Sequence, residues 1–257
     1  ANRAVGRAVR LLRKKASRLY LPEGIKMDGV SSKVIRNLGY PLRREFRRIP
    51  RERARRSLGV SSTERLLVVL GGSQGATSLN QWVKDHLEAF ASDGVSVYCL
   101  TGMGNESSGV VEMTGPDGSS VPMRFVPFSD EMSTVLSAAD LVISRAGAGS
   151  ISEIIRCRVP SILVPYPFAA DDHQALNASF IEQKGAAIVC PQDRIEELLF
   201  EEAREVMFNE EFRAVLRRNL VATDPGDVVS EIVFDVTNVL KESGNRDVIA
   251  GALPFAG

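Results

Sequence analysis

Three segments carry the residue types that hold an anionic, hydroxyl-rich ligand. The first, GGSQGA at 71–76, follows the apolar run LLVVL and precedes a helical pattern. Glycines after a strand let the backbone approach a phosphate, and the next helix presents N–H groups without intrahelical partners. A plain tight turn is the alternative. The second, SRAGAGSISEI at 144–154, repeats the arrangement, with Gly147 and Gly149 in the turn and Ser150 in the first helical turn. An anion there gains about 0.3–1 kcal/mol from the helix dipole, and up to about 2 kcal/mol when partly buried. Glu153, one turn further in, either favours the helix N-terminus or accepts both hydroxyls of a ribose. The third, PYPFAADDHQALNA at 165–178, leaves a strand through a proline-bounded loop into a helix. Gln174 and Asn177, three apart, share a face of that helix, and their amides can donate to and accept from sugar hydroxyls. Asp171 and Asp172 are candidates to cap it.

Other phosphate-binding patterns are incomplete. The strand after the first glycine turn ends VYCLTG, with no Asp or Glu to hold an adenosine ribose, which argues against a dinucleotide dehydrogenase. No Gly-Lys-Ser/Thr follows to make a P-loop.

The elements that must position these residues are legible from about Leu66 onward. LLVVLGG, SVYCLTG, MRFVPF, LVISRAG, SILVPYP and AAIVC read as strands, with helices near 78–92, 130–140, 150–158 and 173–185 between them. Unbroken apolar strands alternating with amphipathic helices predict a Rossmann-like α/β fold, a parallel sheet with helices on both faces. Ligands of such sheets lie beyond the carboxyl ends of the strands, where Gly71, Gly147 and Pro165 fall. After Asp193 the pattern is helical to about residue 243, and GNRDVIAGALPFAG has no clear period.

Composition bounds the rest. The 257 residues are 44% hydrophobic and 25% charged, as in a globular protein rather than a disordered one. The longest apolar runs, such as Ser161 to Pro167, fall far short of the roughly 20 residues that cross a bilayer, and no secretory signal is evident, so a cytoplasmic location is expected. Cys99, Cys157 and Cys190 lie apart in apolar segments, as reduced core thiols do. With His86 and His173 as the only histidines, no metal site is expected. Net charge is zero, yet residues 1–58 carry 18 Lys or Arg against 4 Asp or Glu, leaving 14 against 28 in the remainder. That basic block suits an anionic membrane surface or a diphosphate, or is a solvated helix face and linker. It has few aromatics to stack bases, so nucleic acid is not expected as a partner. The chain opens at Ala1 within a helical pattern, as a segment of a longer protein would.

Together, GGSQGA, ISRAGAGSISEI and VPYPFAADDHQALNA, in this order and spacing, closely resemble the MurG family, glycosyltransferase family 28 of GT-B fold. The likeness extends upstream: NRAVG, Asn2 to Gly6, is similar to the family's Asn-x-x-x-Gly stretch, and GYPLR, Gly39 to Arg43, to its Gly-Asn-Pro-Val-Arg linker, with Tyr40 in place of the usual Asn. The family adds N-acetylglucosamine from UDP-GlcNAc to the lipid-linked muramoyl-pentapeptide of peptidoglycan synthesis. The resemblance implies that Ser73 and the backbone of residues 147–150 hold the diphosphate, Glu153 the ribose, and Gln174 and Asn177 the GlcNAc hydroxyls. Backbone near Phe128 and Ser129 would pair with uracil, Asn2 would reach the donor from the edge of the other domain, and Arg43 and the Ala148, Gly149, Ser150, Ile151, Ser152, Glu153 turn belong to the donor site.

The same resemblance divides the chain into 1–58, the end of an N-terminal acceptor domain with a basic linker; 59–243, the UDP-GlcNAc-binding Rossmann-like domain, the C-terminal half of a GT-B enzyme; and 244–257, a tail. The family's N-terminal glycine-rich loop with its His has no match here, so no catalytic base is expected in this chain and the lipid-linked acceptor would be met through the missing domain. The reaction would invert the anomeric centre, without cofactor or metal if helix dipoles and Arg43 neutralise the leaving diphosphate. Peripheral attachment to the cytoplasmic face of the inner membrane follows from the acceptor. Two other readings stand beside it: a noncatalytic donor-binding subunit needing a separate acceptor-binding chain, and a related glycolipid glycosyltransferase.

Overall fold

The structure is a computed structural model and describes residues 2–71, 77–103 and 108–242. Among the described residues two compact units emerge: residues 3–45 with 225–242, and Asn2 with residues 46–224.

The larger unit is built on seven strands. They are β3 (Arg65–Leu70), β4 (Val95–Leu100), β5 (Gly109–Thr114), β6 (Ser120–Val126), β7 (Leu141–Ser144), β8 (Ser161–Leu163) and β9 (Ile188–Val189), in the order β5-β6-β4-β3-β7-β8-β9. All neighbours are parallel except β5 with β6. The antiparallel β5 was outside the sequence expectation because its exposed edge position selects no apolar run: every residue of it except Met113 is exposed. The central strands, by contrast, are buried on both faces. Leu67 and Val69 pack in one cluster with Leu79, Trp82 and Val83 of α3 (Thr77–Asp85) and Val206 of α8 (Phe200–Phe208). Leu66 and Val68, equally buried, point to the opposite face, where α5 (Met132–Ala138) packs against β3. Helices therefore cover both faces, as expected.

The chain runs outward from β3 through β4 to β6, then returns to place β7 on the other side of β3. The reversal opens a crevice between the carboxyl ends of β3 and β7; Gly71 follows the first of those ends, and Gly147 lies three residues past the second. The expected helix 78–92 is two: α3 stops at Asp85 and α4 (Leu87–Ser92) begins after His86, whose ring nitrogen Nδ1 lies 2.8 Å from the Trp82 carbonyl oxygen. α2 (Arg51–Leu58), grouped with the basic block by sequence, belongs to this unit and packs on α5. Arg55 explains why. It is 2% exposed, and its guanidinium donates to Asp140 Oδ2 at 2.6 Å and to the carbonyls of Ser61, Glu64 and Ala138.

The smaller unit holds α1 (Arg7–Leu12), the parallel pair β1 (Leu19–Leu21) and β2 (Ile35–Asn37), and α10 (Val228–Glu242). Arg18 and Tyr20 hydrogen-bond Asp235 of α10, and Arg36 pairs with it as well. Gly39 packs on Pro225, where a Cβ would meet the ring. Among the described residues no helix is long and apolar enough to cross a membrane. The expected tail, 244–257, lies outside the described residues.

Candidate functional site

The second glycine segment builds a helix N-terminus at the crevice. α6 (Ala148–Cys157) starts two residues earlier than the sequence suggests, with Gly147 as its N-cap and Gly149 already helical. Its first intrahelical bond runs from the Ile151 N–H to the Gly147 carbonyl, 3.0 Å, so the N–H groups of Ala148, Gly149 and Ser150 precede the ladder and point outward. Gly147 offers no capping side chain, and the donors stay available to an anion. Ile151, Ile154 and Ile155 form the buried face that docks the helix, while Ser152 turns its hydroxyl back to the Ala148 carbonyl at 2.8 Å. Glu153 is half-buried at the sixth helical position, beyond the first turn. A dipole contribution fades within that turn, so a helix-end role accounts poorly for this carboxylate.

Ala146 is where the backbone leaves the sheet. The Arg145 N–H still donates to the Leu70 carbonyl, 3.2 Å, but Ala146 has passed the last ladder position. Its two backbone groups are taken up by side chains of α7 (His173–Gln183): the Ala146 N–H donates to Gln174 Oε1 at 3.2 Å, and Asn177 Nδ2 donates to the Ala146 carbonyl at 3.1 Å. Gln174 Oε1 also accepts from the Tyr166 N–H at 3.0 Å. Two converging N–H donors fix the amide orientation, since only the oxygen can receive both. Asn177 is 4% exposed and also donates to Asn2 Oδ1 at 3.3 Å. The face shared by Gln174 and Asn177 therefore meets protein backbone, and what Gln174 presents beyond it is its N–H₂. Leaving the buried Ala146 groups unpartnered would cost about 1–3 kcal/mol each.

α7 is entered through Asp171 and Asp172, both left-handed, at φ 53° and 51°. Such positions cost of order 1–3 kcal/mol for non-glycine residues and persist only where the surroundings hold them. Asp172 is the N-cap residue but its side chain makes no capping bond.

One functional candidate escaped the sequence reading. Arg145 is 8% exposed, donates to the Val164 carbonyl at 3.1 Å and to Ser78 Oγ at 2.9 Å, and lies over the Tyr166 ring at 5.5 Å. It ties together the ends of β7 and β8 and the start of α3. Burial pushes its pKa down, opposed only by Tyr166, and among the described residues it makes no ion pair. A buried cation without a carboxylate favours an anion nearby. The signal was an Arg closing an otherwise apolar strand in VISRAG.

The remaining expected positions fall as follows. Phe128, 52% exposed, and Ser129 sit between β6 and α5, and their backbone groups take no part in backbone hydrogen bonds among the described residues. Ser129 Oγ accepts from the Glu131 N–H at 3.2 Å. Arg43 is exposed and belongs to the smaller unit. Ser73 lies outside the described residues, with most of the first glycine turn. His173 opens α7, and His86 stacks on Phe200 at 5.2 Å.

The glycosyltransferase family 28 C-terminal domain matches residues 66–224. The UDP-N-acetylglucosamine–N-acetylmuramyl-(pentapeptide) pyrophosphoryl-undecaprenol N-acetylglucosamine transferase of Opitutus terrae is 42% identical over 244 residues, covering 95% of this chain and 64% of the relative. The protein of the same name from Phocaeicola vulgatus is 34% identical over 254 residues, covering 95% and 66%. This chain thus spans about two thirds of those relatives' length. The crystal structure of Acinetobacter baumannii MurG shares the fold with a TM-score of 0.67 at 21% identity, covering 92% of this chain and 65% of that one.

Proposed function

The chain belongs to glycosyltransferase family 28 through its C-terminal domain, and from that membership we propose that it is the donor-binding part of a transferase that moves N-acetylglucosamine from UDP-GlcNAc to an undecaprenyl-diphospho-muramoylpentapeptide. The observation that carries this reading is the crevice between β3 and β7, where the N–H groups of Ala148, Gly149 and Ser150 lie one turn from Glu153. A diphosphate seated on those N–H groups is stabilised by charge-assisted hydrogen bonds and the α6 dipole. As the anomeric bond breaks, negative charge grows on the leaving diphosphate, and the same preorganised donors then bind it more tightly than the ground state. Glu153 accepts the ribose hydroxyls. The backbone of Phe128 and Ser129 pairs with uracil, and the sugar lies against the first turn of α7. By the family resemblance alone, Ser73 and Arg43 are further candidates for the donor. The base that takes the acceptor's proton comes from outside this chain, and the lipid-linked acceptor holds the complete enzyme to the cytoplasmic face of the membrane.

Calorimetry of the 257-residue chain against UDP, UDP-GlcNAc, GDP and dTDP tests the reading. UDP and UDP-GlcNAc are expected to bind with clear preference over the other two, while transfer of labelled GlcNAc to a lipid-linked muramoyl acceptor appears only when an acceptor domain is supplied by fusion or in trans, because bisubstrate catalysis needs both reactants in one geometry. Equal binding of all four nucleotides, or none, overturns it.

A further inference from the structure

We propose that Gln174 and Asn177 are positioning residues: together they clasp both backbone groups of Ala146 and so hold the N-terminus of α6 where a diphosphate meets it, instead of acting first as readers of the sugar. The inference rests on the donor-binding reading above and assigns these two residues a different task within it.

The geometry is specific. Ala146 is fully buried and is the last residue before the Gly147 N-cap. It lies beyond the reach of the strand ladders, and one turn of α7 replaces both neighbouring strands: Gln174 Oε1 receives its N–H at 3.2 Å, and Asn177 Nδ2 donates to its carbonyl at 3.1 Å. The three-residue spacing along α7 sets two amides side by side, matching the two groups of one residue. Gln174 Oε1 also receives the Tyr166 N–H at 3.0 Å, so the loop after β8 is fixed by the same atom. With both acceptor directions of Oε1 occupied by backbone donors, that oxygen has none left for a sugar hydroxyl. Without the clasp, the Ala146 peptide would be free to rotate and carry Gly147 and the first N–H groups of α6 with it. A misplacement of about 1 Å at such donors is enough to cost a large part of their effect.

The experiment compares Gln174→Ala and Gln174→Glu with the unaltered 257-residue chain. In the ligand-free protein, amide hydrogen exchange at Ala146 is read first. It should accelerate in Q174A and stay protected in Q174E, because a carboxylate keeps both acceptor positions while losing the N–H₂ donor. UDP, UDP-GlcNAc and uridine are then titrated into Q174A. UDP and UDP-GlcNAc should weaken together, by about tenfold, with uridine unchanged, since only the diphosphate meets α6. Loss confined to UDP-GlcNAc would make Gln174 a sugar reader and overturn the proposal. Equal losses for UDP and uridine would reduce it to general stability and overturn it too. If the unaltered chain binds no nucleotide, the donor-binding reading fails and the anion-positioning purpose with it. Unchanged exchange at Ala146 in Q174A would instead remove the clasp itself, whatever the nucleotide affinities.

Discussion

Arg145 Nη2 donates to Ser78 Oγ across 2.9 Å, joining the residue that follows β7 to the first turn of α3. The two are 67 positions apart in sequence, and each sits next to one of the two glycine turns. Through its other nitrogen Arg145 holds the Val164 carbonyl at the end of β8, so one buried cation joins two strand ends to the start of α3. Replacing it with Met should weaken UDP by about 1.5–3 kcal/mol, the range for hydrogen bonds that involve a charged group. Arg145→Lys should recover only part of this, because a single ammonium lacks the planar fork that reaches Ser78 and Val164 together. Calorimetry with UDP checks the order; equal affinity in all three proteins would confine Arg145 to packing.

Glu153 lies past the first turn of α6, where a carboxylate has little to gain from the helix dipole. Replacement by Ala is expected to weaken UDP by about 1–3 kcal/mol and to leave the circular dichroism spectrum intact. The sharper comparison is 2′-deoxy-UDP. If Glu153 accepts the ribose hydroxyls, the unaltered chain prefers UDP over the deoxy compound and Glu153→Ala loses that preference. A preference retained in the variant would move the ribose elsewhere.

Asp140 is the carboxylate on which the α2 end of the larger unit depends. It accepts from Arg55, from Arg51 and from the Leu66 N–H at 2.9 Å. Asp140→Ala leaves the Arg55 guanidinium buried without its counter-charge, a change that typically costs about 3–5 kcal/mol. Urea denaturation should show the midpoint falling with its slope little changed. Loss below about 1 kcal/mol would place the pair among surface-like ion pairs.

Tyr20 carries a pH dependence in the smaller unit. Burial, then its hydrogen bond to Asp235 and the Asp235 charge, push the phenol up from 10.0 to about 12. A raised phenol pKa favours the protonated group in the folded state. Its contribution to stability is therefore complete below pH 10 and is lost as pH rises to about 12. The stability difference between the unaltered chain and Tyr20→Phe, measured by denaturant titration, should be constant up to pH 10 and shrink above it. A constant difference across the alkaline range would remove Tyr20 from this linkage.

By itself, the sequence determined the layer architecture and which strand ends the glycine segments follow. Runs such as LLVVL and LVIS are apolar at every position, and only a strand covered on both faces buries them all. The glycine turns at their carboxyl ends then mark the crevice by topology alone. The start of α6 was legible to within two residues for the same reason, because local pattern fixes local structure. Tertiary structure decided what the pattern could not carry. The edge strand β5 buries almost nothing and so left no periodic trace. Arg55 and Arg145 look like ordinary basic residues until folding brings Asp140, or Ser78 and Val164, to meet them from distant segments. Gln174 and Asn177 show the limit most clearly: their spacing revealed a shared face, but which groups that face meets depends on how α7 packs against the end of β7. The fold turns it toward the backbone of Ala146, because a peptide leaving a sheet into a buried turn must find its hydrogen bonds somewhere.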